Sequence, residues 1–415
     1  MRTVLFPIII TLVIALIEIY SLKALRSRWD HYSKTFRRIL RVSHYGLMVL
    51  CIIGLITLFI VGRGKPFWYI NFLFAFIVLN LIIKFVFILF VALDDFRRLV
   101  IWGYRKIAKQ KDVSDKSDNG ISRSDFILKS GLIAAAVPAI SLPLGMVIGP
   151  YKYTLHYPTV HLPNLPSSFN GLKIVQISDI HSGSFYDKEA VNKGVDLLLQ
   201  QQPDIIFFTG DLVNNKASEM SNYMDVFSRL KAPMGVYSIL GNHDYGDYEQ
   251  WDSEEAKAAN LDHLKRIHGE LGWRLLLDEH VYLERGEDKI ALIGVQNWGA
   301  GFHQIGDLEK AYKGVNAPVQ LLLSHDPTHF DEEVKKRYPA IDITFSGHTH
   351  GAQMGIETGG FKWSPISLRY SKWAGLYQEG NQYLYVNRGY GFLGYPGRIG
   401  IWPEITVMTL RSDLT

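Results

Sequence analysis

Gly241-Asn242-His243-Asp244 is the stretch on which the reading of this chain turns. It closes an apolar run at residues 235–240, and four other short polar motifs close runs of the same kind. These are Asp179-Ile180-His181 after 173–178, Gly210-Asp211 after 204–209, His325-Asp326 after 319–324, and Gly347-His348-Thr349-His350-Gly351 after 341–346. A short β-branched run ended by a Gly-containing polar turn is the form of a buried strand that delivers a loop. Five such strands predict one sheet edge where the polar loops gather.

The donor atoms in these loops share a chemistry. Asp, His and Asn without Cys suit borderline or hard divalent ions such as Mn, Fe or Zn, and do not suit a thiolate zinc site. Asp211 is the lone carboxylate of its motif, and a carboxylate can offer one oxygen to each of two cations, so a two-metal site is open to this chain. Any one motif alone says little, because Asp and His often cap turns. Five in order, each at a strand end, say far more.

In that order the motifs DxH, GD, GNH[DE], a lone His and GHxH resemble the calcineurin-like metallophosphoesterase superfamily, from residue 172 to the C-terminus. The apolar N-terminal segments, together with Asn387-Arg388-Gly389-Tyr390-Gly391 through Pro403-Glu404-Ile405, resemble its membrane-associated bacterial branch. The resemblance implies N-terminal transmembrane α-helices followed by an α/β domain, a four-layer α/β/β/α sandwich that hydrolyses phosphoesters. It implies that Asp179, His181 and His350 hold one metal, that Asn242, His325 and His348 hold the other, and that Asp211 bridges them. His243 is implied to face the phosphate, stabilising the transition state or protonating the leaving group, with Asp244 orienting it. Two divalent ions about 3.5–4 Å apart can clamp phosphoryl oxygens and activate a water without a covalent nucleophile. Asp244 and Asp326 are expected to fix imidazole tautomers from outside the ligand set. Every motif position is intact.

The composition divides the chain. Of 415 residues, 48% are hydrophobic, enough for more than one domain, and the mean hydropathy of +0.05 is high for a wholly soluble protein. Residues 1–150 carry 20 Lys and Arg against 8 Asp and Glu, whereas residues 151–415 carry 24 against 32. The basic half is the apolar half, so its charge reads as a topology signal, and an acidic catalytic half argues against a nucleic-acid partner. The single Cys51 excludes an internal disulfide and a Cys-based zinc cluster.

Two domains are expected, 1–150 in the membrane and 151–415 as the phosphoesterase. Residues 4–22, 44–61 and 67–93 are each long enough to span a bilayer as a helix. Residues 126–148 form a fourth apolar stretch; with Pro138 and Pro143 it reads as a kinked span or a secretory signal region. Residues 122–129 resemble a degraded twin-arginine motif. Residues 112–124 read as a flexible linker. Seven basic residues in 23–41 and eight in 97–123, against only Arg63 and Lys65 between the second and third spans, place both long loops in the cytoplasm. With four spans, the catalytic domain lies on the extracytoplasmic face of the cytoplasmic membrane.

Between the motifs, helices are expected at 188–201, 220–230 and 254–271, and strands at 274–277, 280–284, 289–295, 361–368, 382–387 and 405–410. His161, His263, His268, His280 and His303 read as surface or core residues, and His329 as a neighbour of the site. Arg388 is a candidate phosphate donor as much as a surface residue. Trp298, Phe302, Tyr390, Phe392 and Tyr395 read chiefly as core, with a lipid-contacting rim as the sharper reading.

The function these readings predict is a membrane-anchored, binuclear, metal-dependent phosphoesterase, its substrate a phosphoester and by preference a membrane lipid or lipid-linked phosphate, because several anchoring helices exceed what a freely diffusing substrate needs. The alternatives are a non-catalytic metal-binding module, or an accessory domain of a membrane sensor or transporter, which would show functional polar residues inside its spans; Glu18, Asn80 and Lys84 are the few candidates.

Overall fold

A computed structural model describes residues 2–26, 33–60, 67–108 and 123–412. It divides into two compact units, Met1–Leu144 and Gly145–Thr415. The linker reading of 112–124 falls, up to residue 122, outside the described residues.

The first unit is helical: α1 (Arg2–Arg26), α2 (Lys34–Ile60), α3 (Phe67–Ile107) and α4 (Arg123–Ile148). Among the described residues, Lys34–Leu58, Ile70–Ile107 and Arg123–Ile148 are long and apolar enough to cross a membrane. The fourth apolar stretch is one helix running through both Pro138 and Pro143. Large apolar side chains such as Leu16, Phe85 and Ile133 point outward, while polar ones turn inward. This inverts the pattern of a water-soluble bundle and suits hydrocarbon. Ile14, Leu55 and Ile77 join α1, α2 and α3, and Phe87, Val91 and Ala135 join α3 to α4. Lys84 is not an isolated charge. It pairs with buried Glu18, which also accepts a hydrogen bond from Asn80 Nδ2 at 3.0 Å and lies 2.8 Å from His44 Nε2.

The second unit is built on two mixed sheets. One runs in the order Thr154–His156, Glu404–Arg411, Lys173–Ile177, Ile205–Phe208, Val236–Ser238, Arg274–Leu275, with Thr159–His161 also paired to Glu404–Arg411. The other runs Gly375–Glu379, Gln382–Val386, Ile343–Ser346, Gln320–Leu323, Asp288–Gly294, Glu279–Arg285. The strands that carry the motifs lie parallel inside each sheet, with Ile174 opposite Ile205 and Ile206 opposite Val236 in one, and Ile343 opposite Leu321 in the other.

Each sheet is apolar on both faces. Ile174, Ile205 and Phe207 of the first pack against Leu321, Leu323, Ile343 and Phe345 of the second. The outer face of the first sheet, with Val175, Ile177 and Phe208, is covered by Val191 and Val195 of helix Lys188–Leu199 and by Leu264 and Ile267 of helix Glu254–Glu270. Ile293, Leu322 and Val386 of the second sheet are covered by Leu308, Phe330 and Val334. The layers are therefore helix, sheet, sheet, helix, as the resemblance implied. Asp187 and Ser253 cap the two long helices by accepting from Ala190 N and Ala256 N.

Two expected elements differ. Residues 220–230 are the end of a 3₁₀ turn, Ala217–Asn222, and a single helical turn, Met224–Phe227. The strand expected at 361–368 stops at Trp363, since Pro365 opens a 3₁₀ turn.

Candidate metal centre

All five motif strands end at one edge. Lys173–Ile177 delivers Asp179 and His181, Ile205–Phe208 delivers Asp211, and Val236–Ser238 delivers Asn242 and His243. From the second sheet, Gln320–Leu323 delivers His325, and Ile343–Ser346 delivers His348 and His350. The loops at the carboxyl ends of parallel strands are where α/β folds place their ligands. Five of the expected ligands, Asp179, His181, Asp211, His348 and His350, have φ of 52°, 48°, 61°, 71° and 51°. Asp and His tolerate this left-handed region better than most residues, and such strain gathers at functional sites. The loops touch closely: a Cβ on Gly241 would run into Asp211 Oδ1.

The side chains form two groups. Ligand atoms of Asp179, His181 and His350 lie within 4.8 Å of one another, as do those of Asp211, His325 and His348. In the first, His350 Nε2 is 3.1 Å from His181 Nε2 and 3.2 Å from Asp179 Oδ1. In the second, His348 Nδ1 is 2.8 Å from Asn242 Oδ1 and 3.3 Å from His325 Nε2. Asp211 Oδ2 stands between them, 3.1 Å from His325 Nε2 and 3.6 Å from His181 Nε2. Asp179, His181, Asp211 and His325 are almost wholly buried.

Outward hydrogen bonds fix which atoms face inward. His325 Nδ1 donates to Thr209 O at 2.7 Å, which leaves the Nε2 lone pair facing Asp211. His348 Nε2 contacts Tyr370 Oη at 3.0 Å, turning Nδ1 inward. Asn242 Nδ2 donates to Tyr248 Oη at 2.9 Å, turning Oδ1 inward. Imidazole nitrogens, an amide oxygen and carboxylate oxygens thus converge at close range, and such N/O donors are what a divalent ion takes.

The electrostatics agree. Burial alone would raise the Asp211 carboxyl, but His325, His243 and His181 hold it well below its ordinary range. Burial alone would lower His325, but Asp211 pushes it up to about 10. His348, with burial dominant, falls to about 4. Positive charge is thus drawn to the point between Asp211 and His325.

His243 is placed by its neighbours. Its N–H donates to Asp211 Oδ1 at 2.8 Å, its Nδ1 donates to Asn214 O at 2.9 Å, and its ring lies 4.9 Å from that of His181. Asp244 does not orient that ring, contrary to expectation. Its carboxylate accepts the backbone N–H groups of Asp211, Leu212, Val213 and Gly241 at 2.9, 2.8, 3.3 and 2.9 Å, so it holds the Asp211 loop instead. Asp326 stands beside the expected ligand His348, with Oδ2 3.5 Å from its Nε2.

Other expectations separate. Arg388 is spent on Glu404 and Glu357 at 2.5 and 2.6 Å and is no phosphate donor. His329 is structural: it bonds Ser324 Oγ and Glu333 and stacks on Trp298. Tyr390 and Phe392 are core, whereas Phe302 stands with its ring 4.7 Å from His348. The sequence reading missed Tyr248 and Tyr370, and also Arg398, which is fully buried and donates to Gly391 O at 3.0 Å, with Nη2 3.3 Å from His350 Nδ1. Their signal was present only as aromatic or basic residues near Gly-rich turns.

Residues 172–352 match the family model for calcineurin-like phosphoesterase, and residues 1–150 match that for a probable calcineurin-like phosphoesterase transmembrane domain. Over 320 residues the chain is 27% identical to a zebrafish (Danio rerio) transmembrane protein with metallophosphoesterase domain, covering 74% of this chain and 68% of that one. It is 29% identical over 258 residues to the metallophosphoesterase YkuE of Bacillus subtilis, covering 61% and 84%. It is 28% identical over 298 residues to the UDP-2,3-diacylglucosamine pyrophosphatase LpxG of Chlamydia muridarum, covering 60% and 86%.

Proposed function

We infer the function from the family to which this chain belongs, the calcineurin-like metallophosphoesterases: it is a metal-dependent phosphoester hydrolase attached to a membrane. Beyond that, we propose that two divalent ions are held by Asp179, His181 and His350 and by Asn242, His325 and His348, with Asp211 shared. The carrying observation is the convergence of these carboxylate, imidazole and amide atoms at one sheet edge, with Asp211 Oδ2 between the two groups. When bound, the ions supply charge for the phosphoryl oxygens and activate a water. The chain's own residues do the rest. Asp211 Oδ1 and the Asn214 carbonyl hold His243 from two sides, so its Nε2 is the ring nitrogen left to pass a proton to the leaving oxygen.

The favoured substrate is a lipid or lipid-linked phosphate presented at the bilayer. The helices and the resemblance to LpxG support that reading, and a strong preference for soluble nucleotides by the chain in vesicles would count against it. The basic residues of 23–41 and 97–123 support a multi-pass anchor with the catalytic unit on the extracytoplasmic face. A cysteine introduced at exposed Lys193 in a Cys51→Ser chain should react with an impermeant maleimide on intact cells; reaction only after lysis would place the unit in the cytoplasm.

The activity is tested with the full chain in detergent, titrated with Mn, Fe, Zn and Mg against bis(p-nitrophenyl) phosphate and its monoester. Asp211→Asn should lose turnover together with bound metal, and His243→Gln should retain metal while turnover falls by about 10²–10⁴-fold. Metal-independent turnover, or unchanged turnover in both variants, would exclude this centre as the catalytic one.

A further inference from the structure

Among the described residues, one charged group near this centre has no carboxylate partner. Arg369 follows the 3₁₀ turn Pro365–Leu368 and is exposed. Its guanidinium carbon lies 5.6 Å from the Phe302 ring centroid and 5.4 Å from that of Tyr370. Both rings lead straight to a ligand: Phe302 lies edge-on to His348 at 4.7 Å, and Tyr370 Oη is 3.0 Å from His348 Nε2. On the other side of the same ligand group, Tyr248 Oη accepts from Asn242 Nδ2 at 2.9 Å, and Asn242 Oδ1 lies 2.8 Å from His348 Nδ1.

Four other arginines of this unit are committed. Arg388 pairs with Glu404 and Glu357, Arg337 with Glu309 and Glu333, Arg274 with Glu279, and Arg285 with Asp204. Arg369 has its two aromatic faces and, among the described residues, no carboxylate. Stacking restrains the guanidinium and leaves its N–H edge open, the form in which arginine takes a phosphate by two parallel hydrogen bonds. The scissile phosphate is already served by the ligand cluster and His243. A further cation beside the Asn242–His348 side has use for a further anion.

We propose that Arg369, stacked on Phe302 and Tyr370, binds a second phosphate joined to the one being cleaved, so that the substrate class is a diphosphate diester. This rests on the phosphoesterase reading above and narrows it. In the reaction, water adds its oxygen to one phosphorus, the P–O–P bond breaks, and the bridging oxygen leaves with the second phosphate. Two phosphomonoesters result, with the two water protons shared between them and solvent. Arg369 holds the leaving phosphate while its charge grows.

The test uses the full chain with Mn in detergent, assayed on UDP-glucose as a soluble diphosphate diester and on bis(p-nitrophenyl) phosphate as a diester without a second anion. In Arg369→Ala, the ratio of kcat/KM for the first over the second should fall about 10- to 100-fold, the loss expected for one charge-assisted phosphate contact. Arg369→Lys should recover part of it. Calorimetry should show imidodiphosphate binding weakened more than orthophosphate binding. Circular dichroism and an unchanged unfolding midpoint serve as the fold control. A ratio that does not move, or wild-type cleavage of the simple diester alone, overturns the proposal and leaves the phosphoesterase reading standing. Turnover of neither substrate by metal-loaded wild type overturns both.

Discussion

Asp244 Oδ2 accepts the backbone N–H of Asp211 at 2.9 Å, so a residue next to the proposed acid sets the shape of the loop carrying the proposed bridging carboxylate. With Leu212, Val213 and Gly241 it serves four amides. An amide side chain offers one acceptor oxygen and would turn an NH₂ group toward N–H donors. Asp244→Asn is therefore expected to lower stability by about 2–4 kcal/mol and to weaken metal binding about 10- to 100-fold. Urea unfolding and metal titration of the full chain would check both. A variant of normal stability that lost only turnover would instead support a direct role on His243.

Acid should destabilise the second unit through His268. This side chain is buried, with Nδ1 2.9 Å from Ser238 Oγ, and burial lowers it to about 3. An unfolded histidine takes its proton near pH 6.5. Between those values the unfolded chain binds more protons, so this contribution is intact above pH 6.5 and is lost progressively as pH falls toward 3. His268→Gln should flatten the fall in stability between pH 6.5 and 4, read as urea midpoints across that range. Parallel curves for variant and wild type would assign the acid sensitivity elsewhere.

Arg388 and Glu404 are expected to behave as a unit. Glu404 is fully buried; burial would raise its carboxyl, and Arg388 instead holds it at about 2. Arg388→Ala should cost about 3–5 kcal/mol by stranding that charge, and Arg388→Met with Glu404→Gln should recover most of the loss. A phosphate-binding role for Arg388 would show the reverse, full stability with a raised KM.

In the membrane unit, Glu18→Ala strands Lys84 and Asn80. Each intramembrane hydrogen bond contributes about 1–2 kcal/mol at most, so the thermal midpoint of the full chain in detergent should fall. Lys84→Ala added to Glu18→Ala should lower it little further, a coupling that a double-mutant cycle reads directly. Additive losses would mean the pair does not interact.

The convergence of the five motifs was legible because each follows an apolar strand and a turn, and the ends of parallel strands gather such turns at one edge. Sequence shows residue types and their order; it does not show what a side chain spends its bonds on. Asp244 looked like a partner of His243 because it is adjacent, yet four backbone amides claim it. Arg388 looked available and Arg369 was passed over, because exposure and counter-charges arise only when distant segments meet. Lys84 looked alone for the same reason: its partner lies 66 residues earlier.

That separation of 66 residues also has a meaning in time. At about 5–20 residues per second, Lys84 is made roughly 3–13 s after Glu18. Until then the first helix carries a carboxylate with no cation from the third, so the ribosome delivers Glu18 well before the residue that neutralises it, and one ion pair ties α1 to a segment made long after it.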